Sequence, residues 1–542
     1  MYCFQCQETA RNQGCTVKGV CGKPEGTANL QDLLVYVCKG IAVYGEKLAK
    51  QGTVDREAGR FICKALFVTI TNAAWDDDSI IGWIRRGLKV KDAIAQKAGA
   101  SGNLPDCATW TADSKEEIMA KAMSEEVRIT AAQNGDVRSL RELVVIGSKG
   151  VAAYAEHAEV LGFEKDEIYV SIMEALASTT KDLSVDDMVG MVMKTGANAV
   201  TTMALLDEAN TTTYGNPEIS EVNLGVRNNP GILISGHDLK DLRMLLEQTR
   251  GTGIDVYTHG EMLPANAYPE LKRYDNLVGN YGGAWYEQKK EFASFNGPIL
   301  LTTNCVLIPT DEYKDRLFTT GVAGVSGVKY IPADVNGDKD FSEIIMMAKG
   351  CKPPEKIDDM ELVIGLAHGT VLSLADKVVD AVKTGAIKRF VVMAGCDGRE
   401  KGRTYYTEFA KALPADTVIL TAGCAKYRYN KLGLGDIGGI PRVIDAGQCN
   451  DCYSLVVIAD ALSKAFGVSI NELPLSFNIA WFEQKACLVL LSLLHLGIKD
   501  IMLGPRLPEF VTPAILDVLV GTFGLKANGG VGSDMRILRI EA

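Results

Sequence analysis

Between residues 27 and 205, apolar side chains recur every three or four positions, the period of helices with one buried face. In NLQDLLVYVCKGIAVYGEKLAKQG, the residues Leu30, Leu33, Leu34, Val37 and Ile41 keep that period. Thr27 or Asn29 is the expected cap there and Gly52 the stop. Ser184, three residues before Asp187, is a capping-box candidate opening DMVGMVMKTG. Residues 136–162 and 166–178, rich in Ala, Glu and Lys, continue the pattern. No strand is expected in this part, which predicts an antiparallel helical bundle. The polar stretch 208–230 then breaks the periodicity and marks a first boundary.

After it, short β-branched apolar runs alternate with helical stretches: GILISG, IDVYT, GPILLTTN, ELVIGLA, RFVVMAG, TVILTAG, RVIDAG, LSFNIAW and IMLG. Apolar strands followed by helices indicate parallel sheets covered on both faces. The charged, Pro-containing segment 351–360 divides this region. The expected fold is multidomain α and α/β. A helical domain over 1–215 carries a cysteine-rich start, and two α/β, Rossmann-like domains with mainly parallel sheets follow over 216–355 and 356–542.

Composition narrows the class. A chain of 542 residues exceeds a single core, and 47% apolar with 23% charged residues is an ordinary globular balance. A net charge of −11 with no basic stretch argues against nucleic-acid binding. The longest apolar run, 486–498, is too short to cross a bilayer and reads as a buried helix. With 14 cysteines and no export signal at the start, a reducing, cytoplasmic setting is expected.

Two groups of residues carry chemistry. Cys3, Cys6, Cys15 and Cys21 lie in one turn-rich segment, separated by two, eight and five residues. An iron–sulfur cluster suits them best; structural zinc and a disulfide framework are the alternatives. The second group lies at strand ends, where open parallel sheets bind ligands. His237 follows GILISG, Glu261 follows IDVYT and Cys305 ends GPILLTTN. Cys396, Cys424 and Cys449 follow three later strands, and Glu483 with Lys485 follows LSFNIAWF. Four thiols with one imidazole and two carboxylates fit neither a closed zinc site nor an ordinary four-cysteine cluster. Thiolates would hold an iron–sulfur part, and His and Glu would hold iron bearing oxygen or exchangeable ligands.

The N-terminal spacing together with GHD (236–238), HGEMLPA (259–265), TTNC (302–305), AGCDGR (394–399), TAGCAKY (421–427), DAGQCND (445–451) and WFEQKA (481–486) resembles the hybrid cluster (prismane) protein family over essentially the whole chain. The resemblance implies a [4Fe-4S] cluster at Cys3, Cys6, Cys15 and Cys21. It also implies a hybrid [4Fe-2S-2O]-type cluster at His237, Glu261, Cys305, Cys396, Cys424, Cys449 and Glu483, with a persulfide on Cys396. The implied activity is reduction of hydroxylamine to ammonia and water, and of nitric oxide to nitrous oxide. Electrons would come from a ferredoxin-, rubredoxin- or NADH-reductase-like protein. His237, Glu261, Glu483 and Lys485 are the catalytic candidates, the last two for proton delivery, and Thr71 and Trp75 are candidate pocket residues. A carbon monoxide dehydrogenase-like enzyme, or a nitric oxide sensor or S-nitrosylating protein acting through Cys396, is the alternative.

Other candidates read as structural. Cys38, Cys63, Cys107, Cys351, Cys452 and Cys487 are expected to be core or surface thiols. His157 and His495 read as packing residues, and His368 follows a strand but matches no ligand position of the family. His259 is a candidate for orienting Glu261. GLGDIG (433–438) matches the dinucleotide fingerprint in form only, because no strand precedes it and no helix follows.

Overall fold

The computed structural model describes residues 1–99, 102–132, 134–508 and 510–540. The first part is helical, with long helices Glu25–Lys50, Arg56–Val68, Asp77–Ala98, Gly135–Glu159, Asp166–Ser178 and Val185–Tyr214. Most start on a side-chain cap. Asp55 accepts from the Ala58 amide, Asp76 from Ser79, Asn134 from Asp136 and Val137, and Ser184 from Asp187. The helix expected to start at Thr27 or Asn29 starts earlier, at Glu25. Pro24 (φ −66°) precedes it and the Glu25 carboxylate pairs with the amino terminus. Thr27 and Asn29 are buried inside that helix, and the Thr27 hydroxyl bonds Asp77.

Two further expectations need correction. The stretch 208–230 is not wholly irregular, because the last long helix runs through it to Tyr214 and Ser220–Asn223 is a strand. ELVI (Glu361–Ile364) joins no parallel sheet. It pairs antiparallel with Ser220–Asn223, and both strands carry exposed residues, those of Glu361–Ile364 alternating with buried ones. That alternation suits a strand with one wet face, not one covered on both sides. The helical part also contributes the short strand Ala74–Trp75, parallel to Gly324–Val325.

The remaining strands form two six-stranded parallel sheets. The middle sheet is ordered Leu277–Asn280, Asp255–His259, Gly231–Ser235, Ile299–Leu301, Leu317–Thr320, Lys329–Ile331. The C-terminal sheet is ordered Val443–Asp445, Thr417–Thr421, Arg389–Val392, Leu475–Ala480, Ile501–Gly504, Lys526–Ala527. Numbered within its own sheet, each reads 3-2-1-4-5-6, the doubly wound order whose ligand crevice opens between strands 1 and 4. The expected central strands are all present. Within these two sheets, the strands not anticipated lie at or next to the edges.

Helix Gln484–His495, which follows the fourth strand of the C-terminal sheet, is buried between Gly135–Glu159 and Val185–Tyr214. One hydrophobic core therefore runs from the helical part into that sheet. Small residues permit the approach. A Cβ at Gly196 would lie 2.4 Å from the Leu491 carbonyl oxygen, and one at Gly150 would lie 2.7 Å from Leu488 Cβ. The same helix carries the exposed Gly190, where a Cβ would meet nothing within 4 Å. Gly196→Ala is expected to cost about 1–3 kcal/mol through overpacking, whereas Gly190→Ala should stabilise by about 0.5–1 kcal/mol through helix propensity. Urea unfolding of the holoprotein followed by circular dichroism measures both, and a neutral Gly196→Ala would refute the close-approach argument.

Candidate metal centre

The two sheets present their carboxyl ends to one another, and the strand-end residues meet there. The ligand atoms of His237, Glu261 and Cys449 all lie within 4.8 Å of one another. Cys396 Sγ is 3.8 Å from Glu483 Oε1, and His237 Nε2 is 3.9 Å from Glu261 Oε2. Cys305 and Cys424 lie close enough to the same carboxylates and thiols to feel their charge. All seven predicted residues are thus brought into one cage; six are buried and Cys305 is partly exposed.

Each is held by its local backbone. Gly395, at φ +113°, lets Cys396 turn back over the sheet, since a Cβ there would sit 2.0 Å from the Ala480 carbonyl oxygen. Cys305 itself adopts φ +73°, a strained conformation for a residue with a side chain. It is clamped by Gln288 Nε2 donating to its carbonyl at 2.6 Å and by the Val306 amide donating to Asn72. Glu483 caps helix Gln484–His495, with Oε2 accepting from the Lys485 amide at 2.9 Å. His237 Nδ1 is 2.8 Å from Thr303 Oγ1, which leaves Nε2 facing the cage.

The halves of the cage are fastened to each other. Gln448 Nε2 donates to the carbonyls of His237 (3.1 Å) and Glu261 (2.8 Å), and the Cys449 amide donates to Glu261 Oε2 at 2.8 Å. Tyr427 Oη donates to the Gly260 carbonyl at 2.7 Å. A buried Lys426–Asp445 pair at 2.5 Å, extended to the Gly447 carbonyl at 2.6 Å, ties the Cys424 loop to the Cys449 loop.

The electrostatics show what the cage lacks. Burial pushes the thiols of Cys305, Cys396 and Cys424 well above their ordinary range and that of Cys449 up to about 12, and the neighbouring negative groups add to this. Burial also raises Glu483, partly offset by Lys485, and holds His237 far below its usual range, as a neutral imidazole. Lys485 Nζ lies 3.0 Å from His237 Nε2, 2.9 Å from Asn304 Oδ1 and 3.8 Å from Glu483 Oε1. Burial disfavours its charge, whereas negative charge on the surrounding cysteines and on Glu483 raises it above its usual range. Glu261 Oε1 is buried with no hydrogen-bond partner. Four thiols that burial keeps protonated, a neutral imidazole and an orphaned carboxylate oxygen are a donor set that fits an iron–sulfur group with oxygen-bound iron, the metal taking the place of the protons on sulfur.

The N-terminal cysteines form a second group. Cys3 and Cys15 exchange backbone hydrogen bonds at 3.0 and 2.8 Å, and Cys15 Sγ accepts from the Ala10 amide at 3.4 Å. Burial, and then the charges of Cys3, Cys21, Glu8 and Cys15, raise the Cys6 thiol well above its usual range. All 14 cysteines are free thiols. The segment docks on the loops that carry the cage. The Gln7 amide donates to the Phe482 carbonyl at 2.8 Å, and Arg403, fully buried, donates to Gln7 Oε1 (2.8 Å), the Trp481 carbonyl (2.6 Å) and the Cys396 carbonyl (3.3 Å).

Several side residues resolve differently. Both ring nitrogens of His259 are engaged, by Ser235 at 3.0 Å and Glu291 at 2.9 Å, so neither is free to orient Glu261. His368 bonds Ser454 at 2.9 Å and faces Asp207 at 3.6 Å, away from the cage. His157 does pack, but against His237, with ring centroids 6.2 Å apart. Thr71 reaches the site through its amide, which donates to Gln484 Oε1 at 3.1 Å; its hydroxyl and the Trp75 indole N–H are buried without partners. Cys452 opens helix Cys452–Phe466 in the core. Thr303, Asn304, Gln448 and Arg403 were not singled out from the sequence. Three of them neighbour a ligand-type cysteine in the same strand-end string, and that adjacency was the available signal.

Residues 1–536 match the model of the Prismane/CO dehydrogenase family. A hydroxylamine reductase of Desulfosudis oleivorans is 67% identical, with 99% of each chain covered, and one of Nitratidesulfovibrio vulgaris is 63% identical over 99% of each. The carbon monoxide dehydrogenase of Thermococcus sp. AM4 superposes with a TM-score of 0.57 at 16% identity, covering 99% of this chain and 90% of that one, which is a likeness of fold. The chain accordingly belongs to the Prismane/CO dehydrogenase family.

Proposed function

We propose that the protein is an iron–sulfur oxidoreductase that reduces hydroxylamine: NH2OH + 2e⁻ + 2H⁺ → NH3 + H2O. The observation that carries this reading is the cage itself, seven ligand-type residues brought together from the strand ends of two sheets. The relatives named hydroxylamine reductase support the substrate. His237, Glu261, Cys305, Cys396, Cys424, Cys449 and Glu483 would hold a hybrid iron–sulfur–oxygen cluster, with a persulfide on Cys396, and Cys3, Cys6, Cys15 and Cys21 a [4Fe-4S] cluster. When bound, the hybrid group supplies electrons and a Lewis-acidic position for a small nitrogen oxide.

The chain's own residues do the rest. Lys485 Nζ directs its protons toward the His237 and Glu483 side of the cage, where the departing oxygen must be protonated. Glu483 Oε1, beside it, is placed to take up and return a proton. Thr303 fixes the His237 ring, and Arg403 couples the N-terminal segment to the Cys396 loop through hydrogen bonds to Gln7 and to the Cys396 carbonyl. Nitric oxide, the second substrate implied by the resemblance, needs one electron per molecule. A cytoplasmic setting matches the free thiols, and no helix among the described residues is long and apolar enough to cross a membrane.

His237→Ala and Glu483→Gln are each expected to lower hydroxylamine turnover with a chemical reductant by at least about 100-fold, the upper range for disturbed metal ligation. The visible and EPR signature of the N-terminal cluster should persist. Ammonia release at the unaltered rate would refute the assignment. Thr303→Val keeps the shape but removes the hydroxyl that holds Nδ1, and should lower activity about 10- to 100-fold with iron content near normal. Ammonia assays paired with iron analysis check it.

A further inference from the structure

We propose that the surface around the N-terminal cysteines is the docking site for a small acidic one-electron carrier protein. The inference rests on the reading that these cysteines hold an electron-accepting cluster, and it concerns how electrons reach it.

Cys3, Cys6 and Cys21 are partly exposed, so the thiol group lies just beneath the surface. The loop between Cys15 and Cys21 carries the outermost apolar residues of this region, Val17 at 81% exposure and Val20 at 50%. Ile308, against which a Cβ at Gly22 would press at 2.8 Å, extends the apolar patch. Two exposed valines on a polar loop beside a redox site are a small desolvating contact, the scale of a weak electron-transfer interface.

Charge selects the partner. The whole chain carries −11, so an acidic protein is repelled from most of its surface. Three carboxylates beside the cysteine loop are paired with cations. Glu8 is bound by Arg399 at 2.8 and 3.0 Å, Glu400 by Arg506 at 2.7 Å, and Glu25 by the amino terminus at 2.5 Å. Arg399 also donates to the Val20 carbonyl at 3.4 Å, which fixes the loop against residues 399–403. Arg11, Lys18 and Lys401 are exposed and have no ion-pair partner among the described residues. The cysteine loop and the 399–403 segment fixed to it thus carry three unpaired positive charges beside the exposed valines of an otherwise negative protein, the exposed carboxylates Asp311 and Glu312 lying only beyond Ile308 in the chain. Such a cluster raises encounter rates with an acidic partner and loses its effect with salt.

The test uses the oxidised holoprotein without substrate and follows bleaching of its visible iron–sulfur absorbance by stopped flow. The reductants are a reduced two-[4Fe-4S] ferredoxin, as the acidic carrier, and reduced methyl viologen. For the unaltered protein the ferredoxin rate should fall steeply with ionic strength. The double variant Lys18→Glu/Lys401→Glu should slow reduction by ferredoxin at low salt about 10-fold or more, as expected for lost steering, and flatten the salt dependence. Val17→Asp should slow it as well. Methyl viologen should reduce every variant at the unaltered rate. An unchanged ferredoxin rate in the double variant, equal slowing with methyl viologen, or a salt-independent ferredoxin rate in the unaltered protein would each overturn the proposal. Normal bleaching without ammonia from hydroxylamine would instead count against the substrate reading and leave the docking surface standing.

Discussion

The carboxamide of Gln448 bonds the backbone carbonyls of both His237 and Glu261, and through that contact one parallel sheet is registered on the carboxyl end of another. A doubly wound sheet opens its crevice at one edge only. Turning two such edges together closes the space between them and buries six of the seven ligand-type residues, leaving Cys305 partly exposed. The cost is a row of polar groups removed from water. They are satisfied in pairs: Tyr427 with Gly260, Lys426 with Asp445, Asp397 with Arg428 at 2.7 Å. Breaking one partner of such a buried pair leaves an uncompensated charge, which penalises any other arrangement of the loops.

The thiols are the exception. Burial raises them together, and one ammonium, Lys485, is the positive charge set among them. The protein has built a site whose unloaded form is electrostatically incomplete. An iron-rich group removes the mismatch by replacing protons on sulfur with metal, so ligand burial and metal binding support each other. The strained backbone at Cys305 belongs to the same economy, since Gln288 and Asn72 hold a conformation that a cysteine would not choose alone.

The helical part serves the site from behind. It accepts helix Gln484–His495 through the glycines Gly150 and Gly196, and this seats Glu483 at the cage as the cap of that helix. The N-terminal segment binds to the C-terminal loops, not only to the helices it precedes, by way of Arg403 and Arg399. Both groups of thiols are thereby anchored to the loop 396–403, and the surface that faces a partner is continuous with the wall of the buried site.

The sequence by itself determined the helical periodicity of the first part, the central strands of both sheets and the chemistry gathered at their ends. Those follow from local rules: a period of 3.6 or a continuous apolar run, and a small set of residue types able to bind metal. His368 shows the limit of that logic. It follows a strand as the ligands do, yet it bonds Ser454 and faces Asp207 elsewhere. His259 likewise sits beside Glu261 in sequence, while Ser235 and Glu291 take both its nitrogens. Only the tertiary structure decided which strand ends face one another. It also decided that Ser220–Asn223 reaches across to Glu361–Ile364, and that Thr303, Gln448 and Arg403 hold the ligand loops. Their partners lie far away along the chain, and no local pattern records a hydrogen bond whose two ends meet only after both sheets have closed.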